Sequence, residues 1–262
     1  MYQFSTLYAG SSGNDAYIGT ETDGILVDIG KNAKQSELAL RDIGVDPRAV
    51  HAVFVTHEHS DHIQGLRVFC SRYHIHVYAS LGTLEALDTM GELNGDFPVY
   101  QITDTADIGD YHIAAFHTMH DSAESLGFTV TLPNGMKTAV STDLGVVTDE
   151  VRSAILGSRV ILLESNHDID MLNEGPYPYY LKKRILSDRG HLSNDAAAAI
   201  CTELLESGTR QILLGHLSNQ NNLPELAYRT SADQLLAAGA VKGDILLRVA
   251  SRHAVTPLEA DL

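Results

Sequence analysis

The stretch Thr56-His57-Glu58-His59-Ser60-Asp61-His62 places four side chains that bind transition metals within six residues. It follows the apolar run Ala52-Val53-Phe54-Val55, which predicts a short buried strand. So dense a run of ligand types does not fit one face of a helix or strand, so we expect a loop at the strand's carboxyl end. In a tight loop, alternate side chains point at two neighbouring positions. We therefore predict that His57 and His59 bind one cation, and that Asp61 and His62 bind a second.

Every other strong ligand candidate directly follows a predicted strand: His120, Asp143 and His216. If one edge of a two-sheet sandwich gathers these strand ends, the side chains meet the histidine loop there. The predicted ligands are His57, His59 and His120 for the first metal and Asp61, His62 and His216 for the second, with Asp143 bridging them. A bridging carboxylate suits two ions about 3.5–4 Å apart. Mixed imidazole and carboxylate ligands suit zinc, manganese or iron.

Each downstream ligand has a competing interpretation. His117 competes with His120, although strand alternation places His117 within the strand and favours His120. Asp143 also fits a turn-forming aspartate, and His216 also fits a histidine packed at a strand end. The metal interpretation is preferred in all three cases.

The chain has 262 residues, of which 44% are apolar and 20% are charged, as in ordinary globular proteins. No stretch approaches the roughly 18 consecutive apolar residues of a membrane span, and Met1–Ser5 shows no signal-peptide pattern. Cys70 and Cys201 form no CxxC pair and read as buried small hydrophobes. We therefore expect a cytoplasmic protein without a membrane partner.

The charge balance is acidic: 18 Lys and Arg face 34 Asp and Glu, which gives a net charge of −16. Taken alone, this charge disfavours a broad nucleic-acid-binding surface. Two bound divalent cations would offset part of it locally.

The two halves of the chain repeat one order of elements: hairpin, short Asp-containing turn, helix, strand and polar loop. The turns are Val27–Gly30 and Thr142–Gly145, and Glu164 in the second half stands where His57 stands in the first. Strand-rich halves with intervening helices predict two face-to-face sheets covered by helices. Also predicted are an irregular loop at Asn173–Tyr180 that leads into a helix to about Leu186, and a last strand at Asp244–Val249.

The pattern His-x-His-x-Asp-His at 57–62, with His120, Asp143 and His216 downstream, resembles the ligand set of the metallo-β-lactamase superfamily. The resemblance covers nearly the whole chain. It implies an αββα sandwich, with two mixed sheets flanked by helices, as a single domain over residues 1–262. True β-lactamases usually place a cysteine at the position of Asp143, which this chain does not.

Three further segments resemble the YycJ/WalJ branch of the superfamily: Ser11–Asn14, Ser187–Asn194 and His216–Asn222. That branch is associated with 5′-to-3′ DNA exonuclease activity. The resemblance implies a phosphodiesterase or nuclease with two divalent ions per chain, zinc, manganese or iron, whose bridging hydroxide attacks phosphorus in DNA. The alternative, which the acidic charge favours, is a hydrolase of small phosphodiesters or thioesters.

Three residues around the ligands are assigned supporting roles. Asp61 is expected to orient the nucleophile, and Asp28 to hold a ligand histidine or the loop backbone from behind. His191 is predicted to donate a proton to the scissile phosphate or leaving group, unless it merely packs in a capping loop. Ser12 and Asn14 either line the opposite rim or only form a tight turn.

A helix that begins near Ser193 or Asn194 offers a substrate-binding position. Backbone amides at a helix N-terminus attract anions, so Ser193 and Asn194 are predicted to hold a substrate phosphate. Ser218 and Asn219, just beyond His216, are weaker candidates of the same kind.

Overall fold

The apolar run before the histidine loop forms the strand Val50–Phe54, in a computed structural model that describes residues 1–259. Ala52 and Phe54 face the core between two sheets, whereas Val53 and Val55 pack toward the helices outside. Because side chains alternate along a strand, both of its faces are buried. This double burial explains why the run is apolar at every position.

The first sheet takes its strands from the N-terminal half and from the C-terminus. They are β1 (Gln3–Gly10), β2 (Gly13–Gly19), β3 (Gly24–Val27), β4 (Val50–Phe54), β5 (His76–Ala79), β6 (Val99–Gln101) and β14 (Thr256–Glu259). Their order is β14-β1-β2-β3-β4-β5-β6, and β3 to β6 run parallel.

The second sheet repeats this plan with the rest of the chain. Its strands are β7 (Thr105–Ile108), β8 (Tyr111–His117), β9 (Leu126–Thr131), β10 (Lys137–Ser141), β11 (Val160–Glu164), β12 (Gln211–Gly215) and β13 (Leu246–Val249). The strands lie in sequence order; β7 to β10 pair antiparallel and β10 to β13 parallel. The carboxyl ends of the parallel strands therefore share one edge in each sheet.

Helices lie on the outer faces of both sheets and beside a cleft at the edge of the sheets. They are α1 (Ala33–Asp42), α2 (Ser60–Ile63), α3 (Leu66–Tyr73), α4 (Leu81–Met90), α5 (Asp149–Ile155), α6 (Ile169–Glu174), α7 (Tyr179–Ile185), α8 (Asn194–Glu206) and α9 (Pro224–Ala237). One apolar cluster joins the two sheets. A second cluster joins the first sheet to its helices, and a third joins the second sheet to its helices. This layering confirms the predicted αββα sandwich.

Several local predictions were wrong. The strand predicted at Asp244–Val249 is present as β13 (Leu246–Val249), but it is not the last strand, because β14 follows it and pairs with β1. The strand β14 carries Pro257, which weakens a strand signal and is tolerated at a sheet edge. The edge strand β7 and the short helix α6 were also missed. The histidine loop itself ends in a helical turn, α2, which contains Asp61 and His62.

Two further observations bear on the sequence predictions. Cys70 and Cys201 are both free and buried, as predicted. No helix within residues 1–259 has the length and apolar character needed to cross a membrane. The cytoplasmic location stays a prediction.

Candidate metal centre

All seven predicted ligands meet at the edge where the strands of both sheets end. Ligand atoms lie within 4.8 Å of one another in these sets: His57, His59 and His120; Asp61, His62 and His216; His57, His62 and Asp143. The first two sets are those predicted for two separate cations. The third contains the predicted bridging aspartate and one histidine from each of the other sets.

Three residues at this edge have left-handed backbone conformations. Asp28, Asp143 and His216 have φ values of 63°, 58° and 55°, and they follow strands β3, β10 and β12. Positive φ is uncommon outside glycine, although aspartate and histidine tolerate it better than most residues. The chain thus turns sharply after each strand and places a polar side chain at the sheet edge.

A buried network holds the histidine loop from behind. Asp28 Oδ1 accepts a hydrogen bond from the Thr56 amide at 2.8 Å, and its Oδ2 accepts one from His62 Nδ1 at 2.8 Å. The Thr56 hydroxyl lies 2.8 Å from the same Oδ2 and 3.0 Å from His57 Nδ1. Asp28 therefore fixes the ring of His62 so that Nε2 faces the other ligands.

His120, and not its competitor His117, joins the cluster. Its Nδ1 donates to the carbonyl oxygen of Gly190 at 3.0 Å, so Nε2 is directed to the centre. The ring centroid of His120 lies 5.0 Å from that of His57 and 5.1 Å from that of His59. His117 is exposed, and Glu150 lies 3.1 Å from its Nδ1.

Glu164 organises the second side of the centre, and the sequence prediction missed its role. Its Oε1 accepts hydrogen bonds from His216 Nδ1 at 2.7 Å and His191 Nδ1 at 2.8 Å. Its Oε2 accepts from the amides of Leu144 and Leu192 at 3.0 and 3.1 Å. The available signal was its position in the internal repeat, as an acid directly after a buried strand.

The donor atoms fit bound cations. Some are buried and lack a hydrogen-bond partner among the described residues: Nε2 of His57, His120 and His216, and Oδ2 of Asp143. Asp143 Oδ2 lies 3.3 Å from His62 Nε2, and Asp61 Oδ2 lies 3.6 Å from His216 Nε2. Ligands on a tetrahedral zinc ion with bonds of about 2.1 Å are about 3.4 Å apart. The set therefore has the spacing and chemistry of a metal centre.

The electrostatics of the ligand cluster support this fit. Burial disfavours the charge of His62, but the carboxylates of Asp143, Asp28 and Asp61 outweigh it and raise the His62 pKa to about 9. Burial also opposes the charge of Asp61, whose pKa is nevertheless held below its usual range, first of all by His62. Burial and neighbouring histidines lower the pKa of His57. The carboxylates around His62 thus favour positive charge at this position, which a bound cation would supply.

The centre opens into a cleft of about 260 Å³. His191 lines this cleft, and 19% of its side chain is exposed. Its Nδ1 lies 3.8 Å from Asp143 Oδ1 as well as within hydrogen-bond distance of Glu164. His191 therefore stands beside the predicted metal ligands, as its predicted role requires.

Ser193 and Asn194 do have the predicted position at a helix start. The Ser193 hydroxyl accepts from the Ala196 amide at 3.2 Å and caps α8. Asn194 is buried, and its side chain is hydrogen-bonded to Ser165 and Asn222. The Ser193 side chain caps its own helix and the Asn194 side chain joins two distant segments, and a contact of either with substrate phosphate stays a prediction.

The remaining candidates lie around the cleft. Ser218 lines it, and its hydroxyl accepts from the Asn221 amide at 3.2 Å, whereas Asn219 is exposed. Asn14 is buried, with Nδ2 3.1 Å from His62 Nε2 and 3.3 Å from Asp61 Oδ2. Asn14 therefore touches the centre.

The amino-acid sequence matches one family profile and is similar to two curated proteins. A family profile described as "Beta-lactamase superfamily domain" matches residues 24–217. Exodeoxyribonuclease YycJ of Bacillus anthracis is 39% identical over 238 residues, covering 89% of this chain and 88% of YycJ. Exodeoxyribonuclease WalJ of Streptococcus pneumoniae is 35% identical over 262 residues, covering 98% of this chain and 97% of WalJ.

The fold also matches solved structures. The metallo-beta-lactamase fold protein YhfI from Bacillus subtilis superposes with a TM-score of 0.69 at 14% identity, covering 98% of this chain and 100% of YhfI. Identity this low supports the shared fold alone. The profile and the two curated relatives show that the chain belongs to the beta-lactamase superfamily and, within it, to the family of YycJ and WalJ.

Proposed function

We propose that the protein is a metal-dependent phosphodiesterase that degrades DNA as an exonuclease from the 5′ end. One observation carries the proposal: the seven metal-ligand candidates cluster together, and four of them line one cleft with His191, namely His59, Asp61, Asp143 and His216. The curated relatives named exodeoxyribonucleases support DNA as the substrate.

The donor set suits two divalent ions, and zinc, manganese and iron all match its nitrogen and oxygen chemistry. The proposed ligands are His57, His59 and His120 for one ion and Asp61, His62 and His216 for the other, with Asp143 shared. When bound, two such ions activate water at neutral pH and neutralise charge on the phosphate.

The chain's own residues orient the reactants. The Asp61 carboxylate, which contacts Asn14 at 3.3 Å, accepts a hydrogen bond from the attacking water and points it at phosphorus. His191 is fixed through Nδ1 by Glu164, so its Nε2 is available on the cleft side. Protonated His191 gives its Nε2 proton to the sugar oxygen as the P–O bond breaks, and the neutral ring remains hydrogen-bonded to Glu164.

A hydrolase of small phosphodiesters or thioesters is the second candidate, because the net charge of −16 opposes broad contact with DNA. The salt dependence of DNA binding separates the two candidates. An enzyme that contacts several phosphates loses DNA affinity steeply as salt rises. A small-substrate enzyme shows little DNA binding at any salt concentration.

The decisive experiment is a denaturing-gel time course on duplex DNA labelled at the 3′ ends. Metal-loaded protein is compared with Asp143→Ala, which removes the shared carboxylate, and metal content is measured for both. We expect the protein of natural sequence to shorten the labelled strand progressively and the variant to leave it intact. If fully metal-loaded protein leaves DNA intact, the exonuclease proposal fails, and small phosphodiesters and thioesters become the substrates to test.

A further inference from the structure

Helix α7 exposes two adjacent tyrosines beside the cleft. The exposed fractions of Tyr179 and Tyr180 are both 74%, the highest of any tyrosine or phenylalanine in residues 1–259. Only Ile185 of this helix is buried, so the two rings contribute little to the core. Adjacent exposed aromatic rings are a feature of binding sites, where one face of a ring meets a partner.

The helix is continuous with the proposed active site. Leu181 and Arg184 of α7, and Tyr177 just before it, line the same cleft as Asp61 and His191. Residues four apart lie on one helical face, so Arg184 is on the same side as Tyr180. A DNA strand that leaves the metal centre along this helix therefore reaches the side of α7 that carries Tyr180, and Tyr179 is its neighbour in the chain.

The charge of α7 contrasts with that of the protein. Its last turn holds Lys182, Lys183 and Arg184, and its seven residues include no acid, in a chain with a net charge of −16. Lys182 donates to the carbonyl of Asn173 at 2.7 Å, and Arg184 pairs with Asp121. The ammonium of Lys183 lies 5.5 Å from the ring centroid of Tyr179, so a cation and an aromatic face stand together.

We propose that Tyr179, Tyr180 and Lys183, here called the α7 platform, bind the single-stranded end of the DNA whose phosphate enters the cleft. The inference rests on the proposed function and adds the form of its substrate. Stacking on exposed aromatic rings beside a positive charge is how proteins hold single strands without reading sequence. Bases inside a duplex are stacked on both faces and only the terminal pair has one face free, so a single strand offers such rings more bases to stack on, and the acidic remainder of the surface repels DNA elsewhere.

The test measures binding without cleavage. A fluorescein-labelled thymidine 12-mer serves as the single strand, and binding is measured in EDTA. It is titrated with the protein of natural sequence, with the variant Tyr179→Ala/Tyr180→Ala and with the variant Tyr228→Ala. Tyr228 is a matched control, because it is 46% exposed and lies on α9. We expect the double variant to bind roughly tenfold more weakly or worse, and Tyr228→Ala to bind like the natural sequence. Tyr179→Phe/Tyr180→Phe keeps the ring faces and retains binding.

A second measurement separates this inference from the proposed function. The metal-loaded proteins are assayed on DNA with a single-stranded 5′ end and on bis(4-nitrophenyl) phosphate, a small diester. The ratio of DNA turnover to diester turnover falls at least severalfold in the alanine double variant. If the protein of natural sequence degrades DNA and the double variant binds and degrades it equally well, the proposed role of the α7 platform is wrong. The proposed exonuclease activity is not affected by that result. If the natural sequence hydrolyses the diester but neither binds nor cleaves DNA, both proposals fall.

Discussion

Glu164 and His216 are joined by a buried hydrogen bond of 2.7 Å between carboxylate Oε1 and ring Nδ1. The same oxygen accepts from His191 at 2.8 Å. Burial opposes the charge of Glu164, but its interactions with His191 and His216 hold its pKa below the usual range. One charged carboxylate therefore orients a proposed metal ligand and the proposed proton donor together.

The variant Glu164→Gln tests this double role. The amide has the same shape but no charge, and its NH₂ group cannot accept the hydrogen bonds that Oε1 or Oε2 accepts now. We expect turnover or metal affinity to fall about 10–100-fold, as for other residues that orient metal ligands. Glu150→Gln is the control, since Glu150 contacts His117 outside the centre. Unchanged turnover and metal content in Glu164→Gln would contradict the assignment.

His191→Ala tests the proton donor. We expect DNA turnover to fall roughly 10²–10⁴-fold, the usual contribution of general acid–base catalysis, while metal content stays that of the natural sequence. The loss should be much smaller with bis(4-nitrophenyl) phosphate, because 4-nitrophenolate leaves without needing a proton. An equal loss on both substrates would mean that His191 positions the phosphate instead, and no loss would remove it from the reaction.

Metal content distinguishes His120 from His117. His120 directs Nε2 at the centre, whereas His117 is exposed and contacts Glu150. We expect His120→Ala to weaken the first site, so that this variant retains close to one metal ion per chain. His117→Ala is expected to bind as many ions as the natural sequence. Metal analysis after gel filtration gives both numbers, and the reverse pattern would show that the ligand assignment is wrong.

The sequence predicted the parts of this centre that depend on local order. The apolar run before His57 predicts a buried strand, and the loop must then emerge at the sheet edge. His120, Asp143 and His216 were found by the same rule, since each follows a strand. The fold places them together because parallel strands end at one edge.

The features that the sequence did not predict depend on contacts between distant segments. Glu164 is hydrogen-bonded to His216, which lies 52 residues later in the sequence, and the residues near Glu164 do not indicate this partner. The strand β14 exists because it pairs with β1 at the other end of the chain. The capping role of Ser193 was visible locally, but the partners of Asn194 are Ser165 and Asn222, which only the fold brings near.

The buried carboxylate of Asp15 predicts a pH-dependent stability. Burial raises its pKa to about 7, although donors from Ser36, Gly30 and Lys31 act in the opposite direction. Because the folded pKa lies above the unfolded value of about 3.9, its stabilising contribution is present below pH 4 and is lost as the pH rises through 7. Asp15→Asn has no such titration. We expect its unfolding free energy, relative to the natural sequence, to increase by roughly 3–4 kcal/mol from pH 4 to pH 8.

Urea unfolding of both proteins in EDTA measures this difference. Taking the difference at each pH cancels the titration of the ligand histidines, which both proteins share. A difference that stays flat across the range would show that Asp15 is ionised in the folded protein at every pH tested.

Gly30 predicts how closely the metal loop packs on its neighbours. A Cβ atom at this position would lie 1.7 Å from the carbonyl oxygen of Asp61 and 2.4 Å from the amide nitrogen of Asn14. The Gly30 amide also donates to the Asn14 carbonyl at 3.0 Å, and the Ile29 amide donates to the His62 carbonyl at 2.9 Å, so both neighbouring segments are held against Gly30. Gly30→Ala is therefore expected to displace Asp61 and to reduce metal binding at the second site by tenfold or more.

The matched control is Gly135→Ala, in the turn between β9 and β10. A Cβ atom there meets nothing within 4 Å, and the cost is the strain of a φ of +81°, about 1–2 kcal/mol. We expect this variant to melt earlier but to bind the same number of metal ions with unchanged turnover. If Gly30→Ala behaves like this control, with lower stability and an intact centre, the close approach of Gly30 does not position Asp61. If only Gly30→Ala loses metal, the backbone contact at Gly30 is a structural requirement of the second site.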